Sequence, residues 1–247
     1  MKVLLTGATG VTGRVLLKSF KIKDFNIVTF SRNHVEKGFN SHHRVGDLYS
    51  IESLESIVKD IDVIYHIPPN MHKDEILLSS NLINCLKKYN IKHFIYHSVL
   101  HPNIQKLSHH WNKMKVEELI INSGINYTIL QPSSYMQNIF NDINNINISD
   151  THYVPFSIHS RLSLVDLDDV GEVAALIVGN NKHFFSKYEL SGPQMLSAID
   201  KAKILTEVLK KNITAKEQSI QNLEKILKDM GLDRRIINLR IDMFKHY

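Results

Sequence analysis

MKVLLTGATGVTGRVLLKSF, residues 1–20, is the stretch from which the fold of this chain follows. Lys2 to Thr6 is a short, mostly apolar run of the kind that forms a buried strand. It breaks at Gly7, and after Gly13 the apolar Val15, Leu16, Leu17 and Phe20 recur at helical spacing. Between strand and helix lies Gly7-Ala8-Thr9-Gly10-Val11-Thr12-Gly13. Glycines there permit a tight turn and a close backbone approach to a pyrophosphate, and the helix that follows points its unpaired N–H groups and positive dipole end at the anion. The glycines are spaced three and three, which departs from the G-x-G-x-x-G form of the strict dinucleotide fingerprint. A glycine-rich turn with no ligand is the alternative. The strand before it and the helix after it favour a nucleotide.

Residues 25–30 (FNIVTF) form the second expected strand, followed by Ser31-Arg32-Asn33-His34. An acid at such a position holds a ribose 2′-hydroxyl, and an arginine suits a 2′-phosphate. Arg32 without a nearby acid therefore points to NADP(H) rather than NAD(H), a solvated loop arginine being the alternative. Residues 43–45 are a short third strand, with Gly46-Asp47-Leu48 beyond it, and Ser50 caps a helix that carries Ile51, Leu54, Ile57 and Val58 on one face. Residues 62–67 (DVIYHI) form a strand stopped by Pro68-Pro69, and an amphipathic helix spans about 72–89. Strands at 92–98 and 126–131 flank a helix at 111–123 that stops at Gly124. Strands alternating with helices at this spacing predict an α/β protein with a doubly wound, Rossmann-type parallel sheet and right-handed crossovers.

Past Pro132 the rhythm changes. An asparagine-rich helix and loop at 135–148, short strands at 162–165 and 188–190, a helix over 168–178 opened by Asp166, Asp168 and Asp169, and a helix-rich end with one strand near 213–215 predict a small C-terminal α+β lobe. The expected division is a dinucleotide-binding domain at 1–132, rejoined by residues 162–180, and a smaller substrate or partner lobe at 133–247.

Composition narrows the class. The 247 residues, 43% hydrophobic and 22% charged, suit a globular protein. No apolar run approaches the ~18 residues of a membrane span, and the N-terminus shows no signal-peptide pattern. One cysteine, Cys85, within an apolar helix pattern, suits a reducing cytoplasm. The net charge of +5 is scattered, with no basic cluster of the nucleic-acid type. The 14 histidines raise the question of a metal, but only His97 and His101 are suitably spaced, and His97 alternates with Ile95 on a strand, so no metal site is expected.

TGATGVTG at 6–13, YHSVLHP at 96–102, HHWNKMKVEELIINSGINYTILQPSSYMQN at 109–138 and LSLVDLDDVGEVAA at 162–175 together resemble the NmrA-like proteins, atypical members of the short-chain dehydrogenase/reductase superfamily. That family contains quinone and carbonyl reductases as well as NADP(H)-binding proteins without known catalysis. The resemblance implies that Thr9, Gly10, Val11 and Thr12, within the turn from Gly7 to Gly13, contact the pyrophosphate and Arg32 the 2′-phosphate. Asp47 and Leu48 would flank the adenine, and Ile67 and Pro68 would lie under the ribose and nicotinamide. Ser98 stands where the superfamily often has its active-site serine or threonine, and Lys113 matches its lysine, which the resemblance implies bonds the nicotinamide ribose of the cofactor. The usual tyrosine four residues before that lysine is His109 here, a candidate proton donor because an unperturbed imidazole titrates near ~6.5. His101 and His110 are neighbouring alternatives.

Tyr135, just past the last core strand, is the expected lining of a substrate pocket, with His101, Met136 and Asn138. Family members commonly extend beyond a segment like 239–247, so the lobe is expected to be shortened. Two functions follow. One is an NADP(H)-dependent oxidoreductase passing hydride to a quinone or conjugated carbonyl. The other is an NADP(H)-sensing protein acting through a protein partner. Both leave room for a homodimer.

Overall fold

The computed structural model describes residues 1–36, 39–40 and 42–246. The chain runs β1 (Lys2–Thr6), α1 (Val11–Ile22), β2 (Asn26–Ser31), β3 (His43–Val45), α2 (Ile51–Val58), β4 (Val63–His66) and α3 (Glu75–Leu86). It continues through β5 (His93–His97), α4 (Ser108–Ile121), β6 (Tyr127–Pro132), β7 (Ser134–Tyr135), a 3-10 helix (Met136–Asp142), α5 (Ile143–Ser149), β8 (Thr151–Val154) and β9 (Leu162–Val165). The remainder is α6 (Leu167–Ile177), β10 (Ser186–Leu190), β11 (Met195–Leu196), α7 (Ala198–Leu209), β12 (Thr214–Glu217), α8 (Ile220–Asp229) and α9 (Arg234–His246). Two compact units result: Met1–Pro132 with Leu167–Leu190, and Ser133–Asp166 with the chain from Ser191 on.

The first unit is built on a seven-stranded parallel sheet of order β10-β6-β5-β4-β1-β2-β3. The chain leaves β1 for β2 on one side and returns to β4 on the other, so the strand order reverses beside β1, the place where open α/β sheets bind ligands. Helices cover both faces of such a sheet, which is why β4, β5 and β6 are buried along their whole length and read as unbroken runs rather than alternating patterns. One core cluster joins Leu4, Ile64, Phe94 and Ile129 of the strands to Leu54 and Ile57 of α2, Leu82 and Leu86 of α3, and Val116 and Ile120 of α4. Ser50 caps α2 as its sequence implies, its hydroxyl accepting the Ser53 N–H.

The starts of α1 and α4 differ from expectation for a physical reason. Helix α1 starts at Val11, so Gly13 lies inside its first turn rather than before it. Helix α4 starts at Ser108, three residues before the expected position, because its buried face carries His110, Lys113 and Glu117 beside Val116 and Ile120. A face that is half polar shows no apolar periodicity, yet it is buried all the same.

The second unit holds a three-stranded sheet, β11-β9-β7, and a parallel pair, β12-β8. Ile146 of α5, Ala202 of α7 and Ile213 form one small core, and α8 and α9 close another through Leu223, Leu227, Ile237 and Ile241. The strand Leu162–Val165, expected with the segment that rejoins the first unit, instead pairs with β7 and β11 here, and the rejoining segment runs from Leu167 to Leu190. Among the described residues no helix is long and apolar enough to cross a membrane.

Candidate functional site

The turn between β1 and α1 separates glycines the fold requires from one it does not. Gly7 has φ +65°, and a Cβ there would lie 2.8 Å from the Ile67 carbonyl oxygen. A Cβ on Gly13 would stand 2.2 Å from the Gly7 carbonyl oxygen and 2.6 Å from Ala8 Cα. Both positions are needed for β1, α1 and the end of β4 to come together. A Cβ on Gly10 would meet only the Gly7 oxygen, at 3.5 Å. Gly10 is the N-cap of α1, with no side-chain cap and no acid in the first turn, and Thr9, Gly10 and Val11 are exposed. The first N–H groups of a helix have no intrahelical partner. At this end they meet neither a capping side chain nor an acid, which fits an anionic group drawn from solvent.

The surroundings of the turn are tied to it. The Thr6 hydroxyl accepts the Ile67 N–H at 3.0 Å and lies 2.8 Å from His66 Nδ1, which holds Ile67 and buried Pro68 beside Gly7. Arg32, one residue past β2, is exposed, and no ion pair reaches it among the described residues. Past β3, the Asp47 N–H donates to Ser53 Oγ (2.9 Å), and Asn81 Nδ2 donates to the carbonyl of Leu48 (3.1 Å). Apart from Lys113, which lies within α4, the expected cofactor residues thus lie at the carboxyl ends of β1 to β4, on the edge where the strand order reverses.

Two of the three expected catalytic residues, Lys113 and Ser98, are engaged inside the fold. Lys113 Nζ is buried and ion-paired with buried Glu75 (2.9 Å); it donates to the His97 carbonyl (3.3 Å) and stands 5.3 Å from the Tyr96 ring centre. Tyr96 donates its hydroxyl to the same Glu75 oxygen (3.0 Å), while Glu75 Oε2 is buried without a partner among the described residues. The Ser98 hydroxyl is buried and donates to Glu117, whose carboxylate also accepts both contacts of Gln131 Nε2 at 2.8 and 3.0 Å. His109 is half-buried, with its Nδ1 enclosed and without a hydrogen-bond partner among the described residues. Burial, then the charge of Lys113 and the neighbouring His110, lowers its pKa to about 3. The proton expected near neutral pH is therefore absent, and His109 is a neutral imidazole there.

His66 and His97 share this fate: burial first and Lys113 second take each to about 3. A histidine neutral in the fold but protonated when unfolded stabilises above its unfolded pKa of ~6.5 and loses that contribution as pH falls. Stability is therefore expected to drop by about 2 kcal/mol for each fully buried histidine between pH 7 and 5, visible as a shift in the urea midpoint with unchanged slope.

His97 Nδ1 meets the Tyr65 hydroxyl at 2.8 Å, and His101 has left-handed backbone (φ 55°) with its carbonyl accepting from His110 Nδ1 (3.1 Å). Among the described residues no three His, Cys, Asp or Glu side chains are grouped to hold a metal ion. Tyr135 ends β7, and Met136 and Asn138 follow on the 3-10 helix, all in the second unit. Glu75, Glu117 and Tyr96 are absent from the residues singled out by sequence. Glu75 had a signal, since it occupies the apolar stripe of α3 three and seven residues before Leu78 and Leu82.

An uncapped helix start at a glycine turn, on the reversal edge of a 3-2-1-4-5-6 parallel sheet, defines a Rossmann-type dinucleotide-fold protein. Residues 1–245 match the model of the NmrA-like family, and the chain belongs to that family. Among similar proteins, the prestalk A differentiation protein A of Dictyostelium discoideum is 24% identical over 252 residues, covering 99% of this chain and 81% of the relative. The NADPH-dependent quinone oxidoreductase QOR2 of Escherichia coli, solved with NADPH, superposes with TM-score 0.84 at 22% identity, covering 98% of this chain and 87% of the other. The Citrobacter sp. triphenylmethane reductase, solved with NADP(H), gives TM-score 0.85 at 19% identity over 99% and 89%.

Proposed function

We propose that this chain binds NADP(H) and passes hydride from NADPH to a quinone or conjugated carbonyl. The observation that carries the proposal is the exposed, uncapped start of α1 at Gly10, flanked by glycines that the fold itself requires. Thr9 to Thr12 cradle the pyrophosphate, Arg32 meets the 2′-phosphate, and Asp47 with Leu48 flanks the adenine. Ile67 and Pro68 form the floor for the ribose and nicotinamide. The reductases among the similar proteins lend the reaction class its support.

Bound NADPH supplies the hydride. The chain's own part is to orient it and exclude alternatives. Lys113 holds its charge inside, against Glu75, and sets the carbonyl end of β5 through His97 rather than reaching outward. Ser98 is spent on Glu117, and neutral His109 has no imidazolium proton to donate. An acceptor that becomes a stabilised anion on reduction, as a quinone does, takes its proton from solvent and needs neither residue. His101 is the proposed acceptor contact of the first unit.

Arg32→Ala is expected to weaken NADPH at least tenfold and leave NADH within about twofold, read by nicotinamide fluorescence, because a charge-assisted contact to phosphate is removed. Turnover is tested with NADPH and a panel of quinones and enones. Absence of NADPH oxidation despite confirmed binding would exclude those acceptors. The internal commitment of Ser98 and Lys113 favours one second reading, an NADP(H) sensor, which requires the two redox forms to stabilise different conformations. Equal affinities and identical proteolysis patterns with NADP⁺ and NADPH would remove it.

A further inference from the structure

β3 is the outermost strand of the parallel sheet, and its first residue, His43, pairs in register with Thr29 of β2. The imidazole bridges two places. Its Nδ1 lies 2.9 Å from the hydroxyl of Thr29, a residue with no exposed surface. Its Nε2 lies 3.2 Å from the Asn33 carbonyl oxygen and 3.2 Å from Ser31 Oγ. A carbonyl can only accept, so Nε2 carries the hydrogen and Nδ1 accepts from Thr29. The Ser31 hydroxyl donates to that same Asn33 carbonyl (2.7 Å), and Asn40 Nδ2 braces the other end through the Ile27 carbonyl (2.9 Å) and Thr29 Oγ (3.4 Å). The ring therefore anchors in the sheet and grips the residues on either side of Arg32.

We infer that His43 is a positioning residue for dinucleotide selection: by holding Ser31 and Asn33 it fixes the backbone from which Arg32 meets a 2′-phosphate. The inference rests on the NADP(H) reading above. A long side chain on an unbraced loop loses more freedom on binding than one on a fixed backbone, so the brace raises affinity only for the ligand Arg32 contacts. A histidine that merely fills the sheet edge would, when replaced, weaken both dinucleotides alike.

The test titrates NADPH and NADH into the wild type, Arg32→Ala, His43→Leu, His43→Gln and Thr29→Val, with the melting temperature of each recorded. His43→Leu is expected to lower NADPH affinity about tenfold with NADH nearly unchanged, the loss of roughly one hydrogen-bonded contact. His43→Gln, whose amide N–H still reaches toward the Asn33 carbonyl, retains most of the preference. Thr29→Val, which keeps the shape of a buried residue, loses part of it and carries the test should His43→Leu fail to fold. An unchanged NADPH/NADH ratio in His43→Leu and Thr29→Val, or an equal loss for both dinucleotides, overturns the inference. If Arg32→Ala abolishes the preference while His43→Leu does not, only the role of His43 falls. If the wild type binds neither dinucleotide, the NADP(H) reading falls and the inference goes with it.

Discussion

Gly13→Ala will destabilise the protein by about 3 kcal/mol, whereas Gly10→Ala will leave stability almost unchanged and cost the protein its dinucleotide. The two substitutions add the same methyl group six residues and three residues past Gly7, in one turn. At Gly13 the methyl meets backbone, 2.2 Å from the Gly7 carbonyl oxygen, and backbone in a packed strand–helix junction cannot rotate away. At Gly10 it meets nothing closer than 3.5 Å, and alanine tolerates the φ of −75° found there. What the methyl at Gly10 obstructs is the approach from solvent to the first N–H groups of α1. Urea unfolding separates the first effect and nicotinamide fluorescence the second. A Gly10→Ala protein with wild-type affinity for NADPH would show that no pyrophosphate sits at this helix start.

Lys113→Met will lower stability by about 3–5 kcal/mol, because it leaves the Glu75 carboxylate buried without its cation. Glu75 has no exposed surface and already carries one unpartnered oxygen, so no solvent replaces the ammonium. The double replacement Glu75→Met with Lys113→Met is expected to be less destabilised than Lys113→Met alone. It removes the stranded charge, at the loss of the Tyr96 hydroxyl's acceptor and of the Lys113 contact to the His97 carbonyl. A double-mutant cycle by chemical denaturation measures the coupling. The contrary outcome is equally clear: a Lys113→Met protein of normal stability that binds NADPH weakly would make this lysine a cofactor ligand, as the family resemblance implies, rather than an interior cation.

The parts of the fold legible in the sequence are those set by residues close together in the chain. The run Lys2–Thr6, the break at Gly7 and the spacing of Leu16, Leu17 and Phe20 are enough for a strand, a turn and a helix, and Ser50 just before the apolar face of Ile51, Leu54, Ile57 and Val58 is enough for a cap. The third strand, His43–Val45, lies where its short pattern predicts. Helix α4 was legible as a helix but not in its extent, since burial of His110, Lys113 and Glu117 requires partners that lie on other elements.

By itself, then, the sequence determined the alternation of strands and helices, the glycine turn and Arg32 beside it, because local sterics and side-chain periodicity act over a few residues. Only the tertiary structure decided which polar groups face one another. Glu75 meets Lys113 across 38 positions and Ser98 meets Glu117 across 19, while His43 reaches back to Asn33. Such contacts depend on how separate elements dock, and burial then makes each partner obligatory, since a charge or donor shut away from water must be met from within the protein.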